Sequence, residues 1–150
     1  MTRYPFSTTV DLPHSPKLLF TYLVEPRNRP EWQGSLLSVR LDERDGLPAV
    51  GLTWQDTTVV GVKPSMEITE LVPYRLFSER GHWAGVEGVL TMRFVGTGGA
   101  GGGCRLTVEG YVEGSGAYAV AARGAALVAG RSLKADLQRA SRVLTDRGPH

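Results

Sequence analysis

From Ala117 to Asp146 the chain reads AYAVAARGAALVAGRSLKADLQRASRVLTD, and no proline interrupts it. Leu133, Leu137, Ala140 and Leu144 recur at helical spacing, with Lys134, Asp136, Gln138, Arg139 and Arg142 between them. That pattern predicts an amphipathic helix over the second half of the stretch. The first half carries only Arg123 and Arg131 as charges among Tyr118, Val120, Leu127, Val128 and many alanines, so it is apolar on more than one side. One helix from about Gly116 to Thr145 would span roughly 40 Å at ~1.5 Å per residue, enough to cross a whole sheet.

What precedes it has the period of strands. Phe6 to Leu12 suits a first strand. Ser15 then supplies a cap and Pro16 the first position of a helix carrying Leu18, Leu19, Phe20, Tyr22 and Leu23 until Pro26 stops it. The string PRNRPEW, Pro26 to Trp32, adds one more helical turn. Leu37, Val39 and Leu41 alternate with polar residues up to the turn signal Asp45-Gly46. Further strands are expected at Val50 to Val60, Met66 to Val72, Tyr74 to Trp83, Val86 to Val95 and Cys104 to Glu113, separated by Pro- or Gly-rich joints. The joints are too short for crossover helices, so the sheet is antiparallel and the final helix covers one face. The order is β-αα-β₆-α, an α+β arrangement.

A chain of 150 residues with 41% hydrophobic composition forms one domain with a real core. Seventeen Lys and Arg against fifteen Asp and Glu, dispersed along the chain, leave no basic footprint for nucleic acid. The single Cys104 forms no internal disulfide, and no Cys/His spacing resembles a metal site, which fits a reducing cytoplasm. No secretory leader is readable, and no uncharged apolar run reaches the ~18 residues of a membrane helix. No cofactor is expected. Oligomeric state stays open between monomer and homodimer.

The element order, with VEPRNRPEWQGSLLSVRL after the first helix, MEITELVPYRLFSERG in the middle and the long final helix, resembles the START-like helix-grip superfamily (SRPBCC), in its polyketide cyclase/dehydrase-like branch. The similarity runs from about Phe6 to Leu144. It implies a curved antiparallel sheet wrapped around the last helix, with a small hydrophobic ligand held between them. It brings no catalytic signature that maps residue by residue.

In such an arrangement, alternate strand positions line the ligand space. Leu90, Met92 and Phe94 share one face of their strand, and Met66, Ile68 and Glu70 share one face of theirs, as do Leu52, Trp54 and Asp56. Trp32, Phe77, Trp83, Tyr111, Tyr118 and Leu127 are further candidates for the lining. Plain core is the competing reading for each apolar residue. Four groups are candidates for chemistry. Glu70 or Asp56 in an apolar cavity would have a raised pKa and exchange protons with a phenol or enol. His82 is a possible acid or base, and Arg131 a fork for a ligand oxygen. Pairing or solvation is the alternative for all four.

Two motif matches are set aside. Gly96 to Gly101 has the spacing G-x-G-x-x-G, but an alternating strand rather than a helix follows it, so the stretch Gly98 to Gly103 is a hairpin tip. Gly114-Ser115-Gly116 lacks nucleophile-elbow spacing, and Ser115 more simply caps the final helix. Three functional classes follow: a binder or carrier of a small hydrophobic (aromatic, polyketide-like or lipid) molecule; a polyketide aromatase/cyclase-dehydratase; or a toxin-like or membrane-associated partner protein that uses the apolar first half of the last helix.

Overall fold

The computed structural model describes residues 1–98 and 102–148. In chain order the elements are β1 (Thr2–Leu12), α1 (Pro16–Leu23), a 3-10 turn at Pro26–Asn28, α2 (Arg29–Trp32), β2 (Leu36–Leu41), β3 (Thr53–Thr58), β4 (Ser65–Val72), β5 (Leu76–Trp83), β6 (Val86–Gly96), β7 (Cys104–Gly114) and α3 (Tyr118–Asp146). The strands form one seven-stranded sheet in the order β1-β7-β6-β5-β4-β3-β2. Every pairing is antiparallel. The sheet is curved and α3 lies along it, the START-like helix-grip arrangement.

Local chemistry sets the boundaries. The Ser15 hydroxyl accepts from the Leu18 amide at 3.2 Å and Pro16 opens α1. Tyr74 (φ 66°) and Ala84 (φ 50°) adopt left-handed backbone in the turns on either side of β5, so that strand starts at Leu76 rather than at Tyr74. Gly116 (φ 58°) makes the turn into α3. Ser115 does not cap α3 by its side chain: the N-cap position falls on Ala117, and the Ser115 carbonyl accepts from Tyr118 N instead. Of the stretch Gly98 to Gly103 expected as a hairpin tip, residues 99–101 lie outside the described residues; Gly96 before it pairs with Cys104 after it, so β7 follows β6 as an antiparallel strand.

The core sits between the inner face of the sheet, α1, α2 and the second half of α3. Leu133, Leu137, Ala140 and Leu144 pack with Leu106, Val108, Phe94 and Phe20. Each buried leucine contributes ~2 kcal/mol of apolar transfer. The first half of α3 makes a separate, thinner contact, in which Ala122 and Ala126 rest on Val112.

One sequence expectation fails on the sheet. A β-bulge between Ile68 and Glu70 shifts the β4–β5 register, so Ile68 opposes Glu79 while Glu70 opposes Ser78. The extra residue turns Glu70 away from the face that holds Met66 and Ile68, and Glu70 is exposed. Leu71, opposite the buried Phe77, takes the inward position instead.

Candidate functional site

The register places small residues on both walls of the space between the sheet and the first half of α3. On the sheet, Gly81 of β5 pairs with Gly88 of β6, and Leu90 of β6 pairs with Gly110 of β7. These glycines fall on the inward positions of their strands, in line with Phe77, Met92 and Val108. On α3 the inward stripe over the same half is Ala119, Ala122, Ala126 and Ala129, which are buried or half-buried, whereas Val120, Leu127 and Val128 are exposed. Large side chains fold over two of the glycines. A methyl group on Gly81 would lie 2.7 Å from Met66 Sδ, and one on Gly110 would lie 2.7 Å from Phe6 Cζ. Above Gly88 the nearest atoms stand at ordinary contact distance, 3.7 Å and beyond.

Next to this space lies a buried polar cluster. Arg29 of α2, 3% exposed, forms an ion pair through Nη2 with Glu79 Oε2 of β5, 4% exposed. Its guanidinium carbon sits 5.8 Å from the ring centre of Trp32 and 5.5 Å from that of Trp54, so it lies between two indoles. Trp54 donates from Nε1 to Asp56 Oδ1 at 2.9 Å. Arg29 Nε and Trp32 Nε1 are buried and have no hydrogen-bond partner among the described residues. Burial pushes the Asp56 carboxyl up to about 6; Arg29 pulls against that shift and the Glu79 carboxylate adds to it. For Arg29 burial opposes the charge, but the Glu79 and Asp56 carboxylates outweigh it and hold its pKa above the ordinary value. The cluster is anchored from behind, because Arg139 of α3 donates to the Trp32 carbonyl at 2.9 Å and to Asp136 at 3.1 Å.

The expected site residues divide between these places. Trp54 and Asp56 stand in the buried cluster beside Trp32, and Met66 is their neighbour across β3 and β4. Leu90, half-buried, opposes both Glu79 and Gly110. Ile68, Phe77, Met92 and Phe94 face inward but are packed in the main core. Tyr118 is 43% exposed at the start of α3, with its ring against Gly85 of the β5–β6 turn, and Trp83 is exposed at the end of β5.

Four of the candidates stand outside the buried cluster. Tyr111 opposes Val89 and Pro5 on the outer face, where the Arg3 guanidinium covers its ring at 3.7 Å. His82 alternates with inward Gly81 and is exposed. Leu127 and Arg131 are exposed because the alanine stripe takes the inward side of α3. An open groove of about 790 Å³ gathers Tyr111, Leu127 and Arg131 with Phe6 and Glu109, and includes Gly110 and Ala126 from the two facing walls, but no member of the buried cluster lines it.

Arg29 and Glu79 were not singled out from the sequence. For Glu79 a signal exists: it alternates with Phe77 and Gly81, so an inward Phe77 carries Glu79 inward too. Arg29, inside a four-residue helix, offers no period to read. Among the described residues, no group of three or more His, Cys, Asp or Glu side chains is placed to hold a metal ion. No helix among them is long and apolar enough to cross a membrane.

Sequence comparison adds a family. Residues 5–147 match the family described as "Polyketide cyclase / dehydrase and lipid transport". The chain belongs to that family. Solved structures agree on the fold at low identity. Protein MLL2253 from Mesorhizobium loti shares 20% identity at a TM-score of 0.66, covering 96% of this chain and 99% of that one. XoxI from Bacillus cereus shares 14% at a TM-score of 0.72, covering 98% and 99%. Ara h 8.0201 shares 12% at a TM-score of 0.73, covering 97% and 99%. No curated protein sequence matches it. Within a family named for both cyclase/dehydrase chemistry and lipid transport, the choice between the two rests on the site itself.

Proposed function

We propose that this family member binds a small hydrophobic molecule between the inner face of β3–β7 and the first half of α3. The observation that carries the reading is the meeting of small residues from both walls. Ala119, Ala122, Ala126 and Ala129 on the helix stand over a sheet face that holds Gly81, Gly88 and Gly110. A helix that closed a solid core would carry large side chains here, as α3 does from Leu133 to Leu144. The side chains that cover the glycines, Met66 and Phe6, are half-buried and hinge on few torsions, so a ligand displaces them without rebuilding the sheet. The residues proposed to line the site are mainly apolar, with the Arg29–Glu79 pair at one end, the usual composition of a small-molecule site.

The test is native mass spectrometry of gently purified protein, followed by a thermal-shift panel of polycyclic aromatics and lipids. A stoichiometric apolar adduct, or a rise in Tm with one chemical class, is expected. If no adduct appears and no class raises Tm, the cavity reading fails. The exposed stripe of Val120, Leu127 and Val128 on α3 would then point to a partner surface.

Asp56 favours a second reading, a cyclase or dehydratase. A buried carboxyl with a pKa of about 6 is divided between its two protonation states near neutrality and can give or take a proton from an enol. The other expected chemical groups, Glu70, His82 and Arg131, are exposed and do not converge on Asp56. Turnover of a poly-ketone by the native protein, lost in Asp56→Asn with ligand binding retained, would establish this reading over simple carriage.

A further inference from the structure

The buried cluster has two N–H donors with no hydrogen-bond partner among the described residues. An unpartnered buried donor is costly, and such groups are almost always met by an acceptor from the protein, water or a ligand. Arg29 and Trp32 stand three residues apart on α2, hence on one side of it, with the guanidinium against the indole. Both side chains are more than nine-tenths buried, and Arg139 fixes the backbone of Trp32 from α3. The donors are therefore held in place before anything arrives.

The charge around them decides what can arrive. The one guanidinium is already paired with Glu79, and a second carboxylate, Asp56, stands beside the pair. No positive charge is left over for an incoming anion. A ligand carboxylate or phosphate would be buried beside two acidic groups without a counter-charge of its own, which is strongly unfavourable. An ammonium would be drawn to the Asp56 and Glu79 carboxylates, but its N–H groups would face Arg29 Nε and Trp32 Nε1 donor to donor and leave both unbonded. A neutral oxygen suffers neither penalty.

The position links the cluster to the proposed cavity. Trp54 of the cluster pairs across the sheet with Met66, and Met66 pairs with Gly81, over which its thioether is folded. Met66 therefore stands between the glycine floor and Trp54, whose ring lies against the Arg29 guanidinium. Resting on the cavity reading above, we infer that Arg29 Nε and Trp32 Nε1 form the polar end of the ligand site and receive an uncharged oxygen, a carbonyl or hydroxyl, of an otherwise apolar molecule. Acidic ligands such as fatty acids are excluded from this end.

Three ligands of one skeleton test it: ethylnaphthalene, acetylnaphthalene and naphthoate, titrated at neutral pH into protein labelled with ¹⁵N in its three tryptophans. The ketone is expected to bind roughly tenfold more tightly than the hydrocarbon, the worth of one buried hydrogen bond, with the carboxylate weakest. The Trp32 indole N–H signal should move downfield with the ketone and not with the hydrocarbon. Trp32→Phe removes one of the two donors and should cut the ratio of ketone to hydrocarbon affinity severalfold within the same variant. If that variant does not fold, the ranking and the Trp32 signal in the native protein decide alone. Equal binding of all three, tightest binding of naphthoate, or a Trp32 signal that does not respond to the ketone overturns the polar end while leaving the cavity intact. Binding of none overturns both.

Discussion

Replacing Asp56 by Asn separates the electrostatics of the buried cluster from its packing. Asn has the same shape and keeps an oxygen for the Trp54 Nε1 bond, but it carries no charge. In the native protein the Asp56 carboxyl titrates at about 6 against an ordinary 3.8, because burial outweighs the attraction of Arg29. The folded state therefore binds this proton more tightly than the unfolded chain does. Its contribution to stability is fully present below the unfolded value and is lost as pH rises through the folded one. Each tenfold in proton affinity is worth ~1.4 kcal/mol, so the total is about 3 kcal/mol. Equilibrium urea unfolding of both proteins at a series of pH values reads it directly. The Asn variant should equal the native protein within error near pH ~4 and exceed it increasingly towards pH ~7, by up to about 3 kcal/mol, or roughly 6 to 12 °C in Tm. Differences between the two curves cancel the other carboxylates. A gap that stays constant across this range, or one that opens on the acid side, would refute the account of Asp56 as a buried carboxyl beside a guanidinium whose charge is already paired with Glu79.

Two further substitutions probe the glycine floor. Gly88→Ala meets its nearest neighbours at 3.7 Å and needs no positive φ, so it should be neutral or stabilise by ~0.5 kcal/mol while weakening a bound hydrophobic ligand severalfold. Gly110→Ala would drive a methyl group into the Val89 carbonyl oxygen and the Phe6 ring, and should cost upwards of ~2 kcal/mol in urea unfolding. For the ion pair, Arg29→Met leaves Glu79 buried without a partner and should cost ~3 to 5 kcal/mol, whereas Arg29→Met with Glu79→Leu should recover most of that loss. A double variant no more stable than the single one would mean that the pair does more than neutralise itself.

Much of the architecture could be read from periodicity alone, because burial on one side of an element imposes a period on its residues. Leu133, Leu137 and Leu144 marked the second half of α3, and Leu90, Met92 and Phe94 marked the inner face of β6. The errors have physical causes as specific as the successes. Glu70 was placed by alternation from Met66 and Ile68, and one bulge residue reversed it. For Tyr118 and Leu127 periodicity sets no side, because the first half of α3 is apolar on more than one face. Here alanines take the inward stripe and the larger residues stay outside. Tyr111 sits between Gly110 and Val112, and both neighbours belong to the inner face, so its own outward position followed from theirs. Arg29 was passed over as a charged residue in a proline-bounded turn, because what buries it lies fifty residues further along the chain, at Glu79.

The two unusual features of the interior bear on one another. Small residues on facing walls forfeit packing energy, and a buried ion pair is commonly no more stabilising than well-packed hydrophobic side chains of the same volume. Each lowers stability, and both occur along the neighbouring positions Trp54, Met66, Gly81 and Gly88 while the rest of α3 and the sheet is conventionally packed. Departures from good local packing that gather in one place mark a site where stability has been exchanged for function. The same reasoning fixes what the double variant at Arg29 and Glu79 should do. It should fold well and still bind a plain hydrocarbon, while its ratio of ketone to hydrocarbon affinity falls severalfold, since Arg29 Nε is gone and only Trp32 Nε1 remains to meet the oxygen.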